Sequence, residues 1–354
     1  MKIIFFGTPK YVLPIIEALH KSFKSPKIES GVMAVVTQPP KPTGRKQKLE
    51  YSPVDTWAYK KNIPIFHKAG DLIKSDIKAD LGVLASYGEI IPKYVISHLS
   101  SKGGSAYGGK FGILNIHPSL LPKWRGASPI QASIINGDET TGVTIIKLDE
   151  KLDHGPIISQ FKEKILDTDT TESLRKRLFE RSANVIASLL PAYLKGKIKS
   201  REQQHLKATF TTQVKKDDAF IPPEYISANL QGETLQTRWE IPFMNTKYSQ
   251  ASLSPKGKAL LIKNYSLNPT PYTLERFIRA MQPWPGAWTY VQLSSKLKAK
   301  SEKRLKILKA HLEESQITSH KSPVTKLVLD EVQLEGKNSV SWKQFKEAYP
   351  EAEF

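Results

Sequence analysis

The chain has 354 residues, carries 53 Lys+Arg against 34 Asp+Glu for a net charge of +19, and contains no cysteine. That length predicts two domains with cores of ordinary size, and 39% hydrophobic with 25% charged residues excludes a disordered, fibrous or low-complexity chain. Zero cysteine excludes disulfides, thiolate nucleophiles and Cys-ligated metal, while the positive surplus points to a polyanion such as nucleic acid or an anionic membrane surface.

Met1-Lys2 runs directly into Ile3-Ile4-Phe5-Phe6, which reads as a first strand with no room for a leader peptide. No apolar run nears the roughly 20 residues of a membrane span. Short apolar runs at Lys2 to Phe6, Val32 to Val36, Leu81 to Ala85 and Ile113 to Ile116 read as buried strands, with amphipathic helices at Tyr11 to His20 and Pro53 to Lys61 between them. Strands alternating with helices predict an α/β fold with a parallel sheet, whose strand C-termini are where ligands bind. Gly142 to Leu148 and Pro156 to Phe161 read as two more strands. Asp169 followed by Glu172 predicts a capping box opening a helix with Leu174, Leu178, Val185, Ile186 and Leu189 on one face. A polar, basic stretch from Lys195 to about Lys216 reads as linker, so the expected division is a catalytic domain over 1–196, a linker over 197–215 and a second domain over 216–354. The second half carries short alternating segments, Ala259 to Ile262 and Lys326 to Leu329. It also holds an Arg276 to Pro285 cluster and a basic run of Lys296, Lys298, Lys300, Lys303, Arg304, Lys306 and Lys309. A lysine run is most often a solvated face; the overall charge favours nucleic acid contacts.

Asn115-Ile116-His117 is the sharpest local feature. In a strand, residues two apart share a face, so amide and imidazole project together at a strand end. Such a pair can donate to an oxygen that becomes charged in a transition state, although a lone pair of this kind more often satisfies a backbone carbonyl. Asp153, in a Gly-Pro turn between two strands, is placed to return to the same site, where a carboxylate would favour the charged imidazole. Together the three residue types suit acyl transfer without a covalent nucleophile.

The run Asn115-x-His117-Pro118-Ser119-Leu120-Leu121-Pro122 with Asp153-x-Gly155-Pro156 resembles the folate-dependent formyltransferase family, in which the matching Asn, His and Asp are catalytic. Further runs resemble the members of that family that formylate methionyl-tRNA: Phe6-Gly7-Thr8-Pro9, Thr37-Gln38-Pro39 with Gly44-Arg45, Tyr87-Gly88-x-Ile90-x-Pro92, Trp124-Arg125-Gly126-Ala127, and Arg276-x-Ile278-Arg279-Ala280 with Pro283-Trp284-Pro285. The resemblance implies a Rossmann-like N-terminal domain and a remodelled OB-like β-barrel C-terminal domain. It implies 10-formyltetrahydrofolate as co-substrate, held by Tyr87, Gly88 and Ile90 and by Ser119, Leu120, Leu121 and Pro122, with no metal. It implies initiator methionyl-tRNA as acceptor, its acceptor stem met by Lys41, Arg45, Lys46 and Lys48 in a loop, and the C-terminal basic cluster supplying salt-dependent affinity. A monomer with no membrane association is expected. Two departures stand out: residues 224 to 272 look expanded, and the chain between Lys309 and Lys326 is expected to lack strands usual in the barrel. Glycinamide ribonucleotide, a sugar nucleotide or formyltetrahydrofolate hydrolysis stay open, because they share the Asn, His and Asp motif but leave the second half unused. A non-catalytic folate- or RNA-binding relative is the alternative from another class. The strong basicity and altered second domain suggest a mitochondrial matrix member; a bacterial cytoplasm is the alternative.

Overall fold

The structure is a computed structural model that describes residues 1–24, 30–44, 46–100, 111–233, 235–245, 264–295, 298–314 and 324–354. In chain order the first half runs β1 (Ile3–Gly7), α1 (Leu13–Ser22), β2 (Val32–Val36), β3 (Lys41–Thr43), β4 (Lys48–Glu50), α2 (Pro53–Lys60), β5 (Ile65–Phe66), β6 (Leu81–Ala85), α3 (Lys93–Ser100), β7 (Ile113–His117), β8 (Arg125–Gly126), α4 (Pro129–Asn136), β9 (Thr140–Lys147), β10 (Ile157–Lys164) and α5 (Thr171–Leu194). The second half continues with β11 (Phe210–Thr211), α6 (Pro223–Gln231), β12 (Trp239–Asn245), β13 (Asn264–Leu267), α7 (Pro271–Ala280), β14 (Ala287–Ser295), β15 (Lys298–Glu314), β16 (Thr325–Leu334), β17 (Ser339–Ser341) and α8 (Trp342–Ala348). By internal contacts the chain forms two compact units, one of residues 1–125, 142–163 and 175–207, the other of 126–141, 164–174 and 208–354.

The first unit is built on a seven-stranded sheet in the order β10-β9-β7-β6-β1-β2-β5. Strands β7, β6, β1, β2 and β5 run parallel and β9 pairs antiparallel with β7. The expected mostly parallel α/β sheet is therefore present. Every residue of β1 is buried, as continuous apolar runs in a sheet covered on both faces require. Ile4, Phe6, Ala34, Val36, Val95 and Leu99 pack in one core cluster, each fully buried large side chain contributing roughly 1.5–3 kcal/mol. The chain moves from β1 out to β2 and β5, then returns to β6 on the other side of β1. That reversal opens a crevice at the carboxyl ends of β1, β6 and β7.

Local chemistry explains the boundaries. Ser52 caps α2 by accepting from the Asp55 N–H at 3.0 Å, with Pro53 preset in the first turn. The expected Asp169/Glu172 box is displaced by one residue. Thr170 and Ser173 exchange backbone-to-hydroxyl bonds at 3.0 and 3.3 Å, while the Asp169 carboxylate accepts from the Leu166 N–H and the Ser173 hydroxyl. With a threonine capping α5, Asp169 ties down the preceding turn, a choice that residue spacing alone does not reveal. The loop expected around Lys41 to Lys48 is a two-stranded hairpin, β3 with β4, in which Thr43 pairs with Lys48; Gly44 at φ 67° and Gln47 at φ 49° make its tip.

The second unit holds antiparallel sheets, as the expected C-terminal sheet domain requires. One is ordered β14-β15-β16-β17 and β12 pairs with both β11 and β13. In α7, Leu274, Phe277 and Ile278 are buried, while Arg279 bonds Glu275 and the Asp169 carbonyl. The Arg276 to Pro285 cluster thus opens on a packed helix. The expectation that strands are missing between Lys309 and Lys326 is corrected: β15 runs on to Glu314, pairing His311 with Val328 and Glu313 with Lys326. Register shifts between Ile307 and Ala310 move the inward set from Leu305 and Ile307 to Ala310. A bulge of this kind breaks the period-two signal that marks a strand in sequence. Residues Ala259 to Ile262 lie outside the described residues.

Candidate active site

β7 ends at the crevice and delivers Asn115 and His117, 6% and 4% exposed, on one face. Parallel pairing of Asn115 with Leu84 and antiparallel pairing of His117 with Thr144 fix their backbone from both sides. Asp153 comes from the β9–β10 turn. The Asn115 amide donates to Asp153 Oδ1 at 3.0 Å, and His117 Nδ1 stands 3.5 Å from Asp153 Oδ2. One carboxylate, itself 8% exposed, thus bridges amide and imidazole.

The second imidazole nitrogen has a partner of its own. His117 Nε2 lies 2.9 Å from the Trp124 carbonyl, which can only accept, so Nε2 carries a proton. The strand-end reading, a histidine that satisfies a backbone carbonyl, therefore describes Nε2, while Nδ1 faces Asp153. At 3.5 Å the Nδ1 side is looser than an ordinary N–H···O bond.

Asp153 has φ 45°, a left-handed conformation that favours glycine. Its surroundings impose it. Gln203, from the stretch expected as linker, donates through Nε2 to the Asp153 carbonyl and the Gly155 carbonyl, both at 2.8 Å. Gln203 Oε1 accepts from Arg125 Nη2 at 2.7 Å, and the same Nη2 donates to His205 Nδ1 at 2.8 Å. Arg201 pairs with Ile157 by two backbone bonds, which anchors this stretch beside β10. His205 stacks on His154 at 3.9 Å, and His154 bonds Asp149 at 2.7 Å. Burial holds the Arg125 guanidinium below its ordinary pKa, with Asp153 and Asp149 opposing. Burial, His154 and Arg125 together lower His205.

The Ser119 to Pro122 loop is knitted to β9 and β10. Thr144 Oγ1 donates to the Ser119 carbonyl at 2.6 Å and accepts from the Leu121 N–H at 3.0 Å and from Gln160 Nε2 at 2.8 Å. The Ser119 hydroxyl is spent on the Lys123 carbonyl at 2.6 Å, and Leu121 packs with Ile146 and Ile157.

Tyr87, Gly88 and Ile90 follow β6. The Tyr87 carbonyl accepts from the Thr8 hydroxyl at 2.9 Å, Gly88 has φ 87°, and Ile90 is 86% exposed. Burial and the neighbouring Glu89 push the Tyr87 phenol up to about 12. A cavity of about 240 Å³ lies between this segment and Lys68, Asp71 and Lys74.

Lys41, Lys46 and Lys48 are exposed on the β3–β4 hairpin, while Arg45 lies outside the described residues. The hairpin follows β2, three places from β7 in the sheet, or about 14 Å at one strand spacing each. On the separate C-terminal unit, Lys303 and Lys309 are exposed on β15 and Arg304 lies 4.3 Å over the Trp288 ring; Lys296 lies outside the described residues. Among the described residues no group of His, Asp and Glu could hold a metal, and no helix is long and apolar enough to cross a membrane.

Sequence reasoning missed Thr144, Gln160, Arg125 and Gln203 as site-building residues. The only signal was that polar side chains sit beside apolar strand residues, with their partners up to 80 positions away.

Residues 1–190 match the formyl transferase family model and residues 266–350 match the formyl transferase C-terminal domain model. A methionyl-tRNA formyltransferase of Buchnera aphidicola subsp. Schizaphis graminum is 35% identical over 291 residues, which is 80% of this chain and 74% of that protein. One from Chloroflexus aurantiacus is 31% identical over 298 residues, 82% of this chain and 76% of that protein. Among solved structures, the N-formyltransferase of Helicobacter canadensis, in complex with folinic acid and dTDP-3-aminofucose, shares the fold. Its TM-score is 0.54 at 15% identity, over 90% of each chain. With both family domains matched in order and relatives of this identity across most of its length, the chain belongs to the formyl transferase family, alongside the methionyl-tRNA formyltransferases.

Proposed function

We propose that this enzyme transfers the formyl group of 10-formyltetrahydrofolate to the α-amino group of initiator methionyl-tRNA. The observation that carries the reading is the buried Asn115–Asp153–His117 constellation at the carboxyl end of β7, in a chain whose relatives are methionyl-tRNA formyltransferases. The amine attacks the formyl carbon and the carbonyl oxygen becomes an oxyanion. Asn115 donates to it with the amide hydrogen that Asp153 does not use, and His117 with an Nδ1–H shared with Asp153, because Nε2–H is held by the Trp124 carbonyl; removal of one such preorganised donor costs ~10²–10³-fold in rate. Asp153 accepts from both and so fixes their direction. It also takes up the proton that the amine nitrogen, now carrying positive charge in the tetrahedral intermediate, must lose, and returns that proton to the folate nitrogen as its bond to carbon breaks and the carbonyl re-forms.

Tyr87, Gly88 and Ile90 with the Ser119 to Pro122 loop are the folate-facing residues in this reading. The cavity beside Tyr87 and the exposed Ile90 supply an apolar seat near polar groups. With the Ser119 hydroxyl occupied, that loop contributes backbone and apolar contact. Lys41, Arg45, Lys46 and Lys48 meet the acceptor stem, and exposed Lys303 and Lys309 add backbone affinity. The functional division follows 1–196 for chemistry, 197–215 as a connector whose first part also braces the Asp153 turn through Gln203, and 216–354 for tRNA, and the enzyme acts as a monomer. The relatives named above are bacterial, which supports a bacterial cytoplasm over the mitochondrial matrix suggested by charge.

Mixing the protein with radiolabelled formyl donor and charged initiator Met-tRNA transfers label to methionine. Transfer to glycinamide ribonucleotide or an amino-sugar nucleotide instead overturns the reading.

A further inference from the structure

We propose that Gln203 is a positioning residue for formyl transfer: its amide locks the backbone of the Asp153 turn so that the carboxylate stays between Asn115 and His117, and Arg125 sets which way round that amide stands. The inference rests on the reading of Asp153 as a member of the reacting trio.

Three observations carry it. Asp153 sits at φ 45°, where a residue with a Cβ persists only if its surroundings impose the conformation. The imposing contacts are the two bonds from Gln203 Nε2 to the carbonyls of Asp153 and Gly155, which bracket the turn from a side chain 5% exposed. Both hydrogens of the amide are thereby used.

The amide can stand only one way. Reversed, its oxygen would face two carbonyl oxygens and its NH₂ would face the Arg125 guanidinium, so every contact would be repulsive. Arg125, 4% exposed, donates to Gln203 Oε1 and thus selects the productive orientation.

The turn also has no slack on its other side. A Cβ on Gly155 would lie 1.8 Å from the Lys147 carbonyl, so the turn is pressed onto β9 and cannot drift toward it. Gln203 closes the remaining direction. The carboxylate accepts at 3.0 Å from Asn115 and stands at 3.5 Å from His117, distances that a shift of about 1 Å in the turn would break. A misplacement of that size costs up to ~10²-fold in rate.

The test uses the full-length enzyme with labelled formyl donor and charged tRNA. Gln203→Met keeps the length and removes both donors. The expected result is a kcat lowered about 10- to 100-fold, with KM for both substrates within about twofold and a displaced limb of the pH–rate profile. Gln203→Glu places a carboxylate against the two carbonyls. Relative to wild type at each pH, its activity rises as pH falls from about 7.5 toward about 5.5, because a protonated carboxyl regains one donor. A merely structural role gives no such rescue. Gln203→Glu also keeps the test decisive if Gln203→Met does not fold. A kcat within about twofold of wild type in Gln203→Met, or a Gln203→Glu to wild-type ratio flat with pH, overturns the proposal. Asp153→Asn separates the two readings: if it retains full kcat, the trio reading fails, whereas if it is inactive and Gln203→Met is not, only the role of Gln203 fails.

Discussion

Thr144→Val tests whether the Ser119 to Pro122 loop is held by a single hydroxyl. Valine keeps the shape, and Thr144 is 0% exposed, so the change is confined to hydrogen bonding. Thr144 Oγ1 serves the Ser119 carbonyl at 2.6 Å, the Leu121 N–H at 3.0 Å and Gln160 Nε2 at 2.8 Å. Gln160 keeps a second partner, the Leu121 carbonyl at 3.2 Å, so its loss is small. Two buried backbone groups are left unpaired, each costing about 1–3 kcal/mol, and partial relaxation of the loop brings the sum to about 3 kcal/mol. For a unit of roughly 200 residues that lowers Tm by about 6–12 °C. Urea titration followed by tryptophan fluorescence measures the free energy, and steady-state kinetics follow KM for the folate, which should rise more than KM for tRNA. Gln160→Met is the comparison and should cost about 1 kcal/mol. A loss below about 0.5 kcal/mol in Thr144→Val would show that the loop is held by other means and would remove the reasoning that ties its shape to β9.

Asn115→Ala, His117→Ala and Asp153→Ala should each lower kcat by ~10²-fold or more while tRNA binding, measured by filter retention, persists; undiminished turnover in any of them contradicts its role. Gly155→Ala forces a Cβ into the Lys147 carbonyl and should destabilise the first unit by more than about 2 kcal/mol in a denaturant titration. Removing Lys46 and Lys48 together should reduce the salt dependence of tRNA binding by up to about 1.5 in the slope of log K against log salt. An unchanged slope places the tRNA elsewhere. Tyr87 holds its proton more tightly when folded, up to about 12 against an ordinary 10, so its contribution is complete below about pH 10. That contribution is lost as pH rises toward about 12. Tyr87→Phe should flatten this alkaline loss without lowering the neutral-pH Tm by more than the loss of its hydroxyl bonds to Glu89 and to the Ala69 backbone, and an identical alkaline profile refutes the assignment.

The apolar runs that build β1, β2, β6 and β7 were legible because a parallel strand buried on both faces is apolar throughout, and β2 and β6 have the bounds read from composition. Asn115 and His117 were legible for a related reason, since a period of two puts them on one face. The cap of α5 was displaced because Thr170 and Asp169 are both competent caps and only the bonds to Leu166 and Ser173 decide between them. The extension of β15 was hidden by a bulge that shifts the phase of its inward residues. The hairpin at Lys41 reads as a loop because the side chains of both its strands face solvent, which leaves no apolar alternation to signal pairing.

The amino-acid order settles which strands are buried, where they end and which polar residues stand at those ends, because burial and side-chain period are local properties. The tertiary structure decides how those residues are held. The left-handed turn at Asp153, the Gln203 amide beneath it and Arg125 behind that amide come from positions 50 and 78 residues apart. Hydrogen-bond partners at such separations are chosen by the packing of the chain, which no short stretch of sequence encodes. The same holds for the +19 surplus, which composition reports as one number. The fold divides it into lysines exposed on a hairpin and on β15, and arginines such as Arg125 and Arg279 that are committed to buried or partly buried bonds.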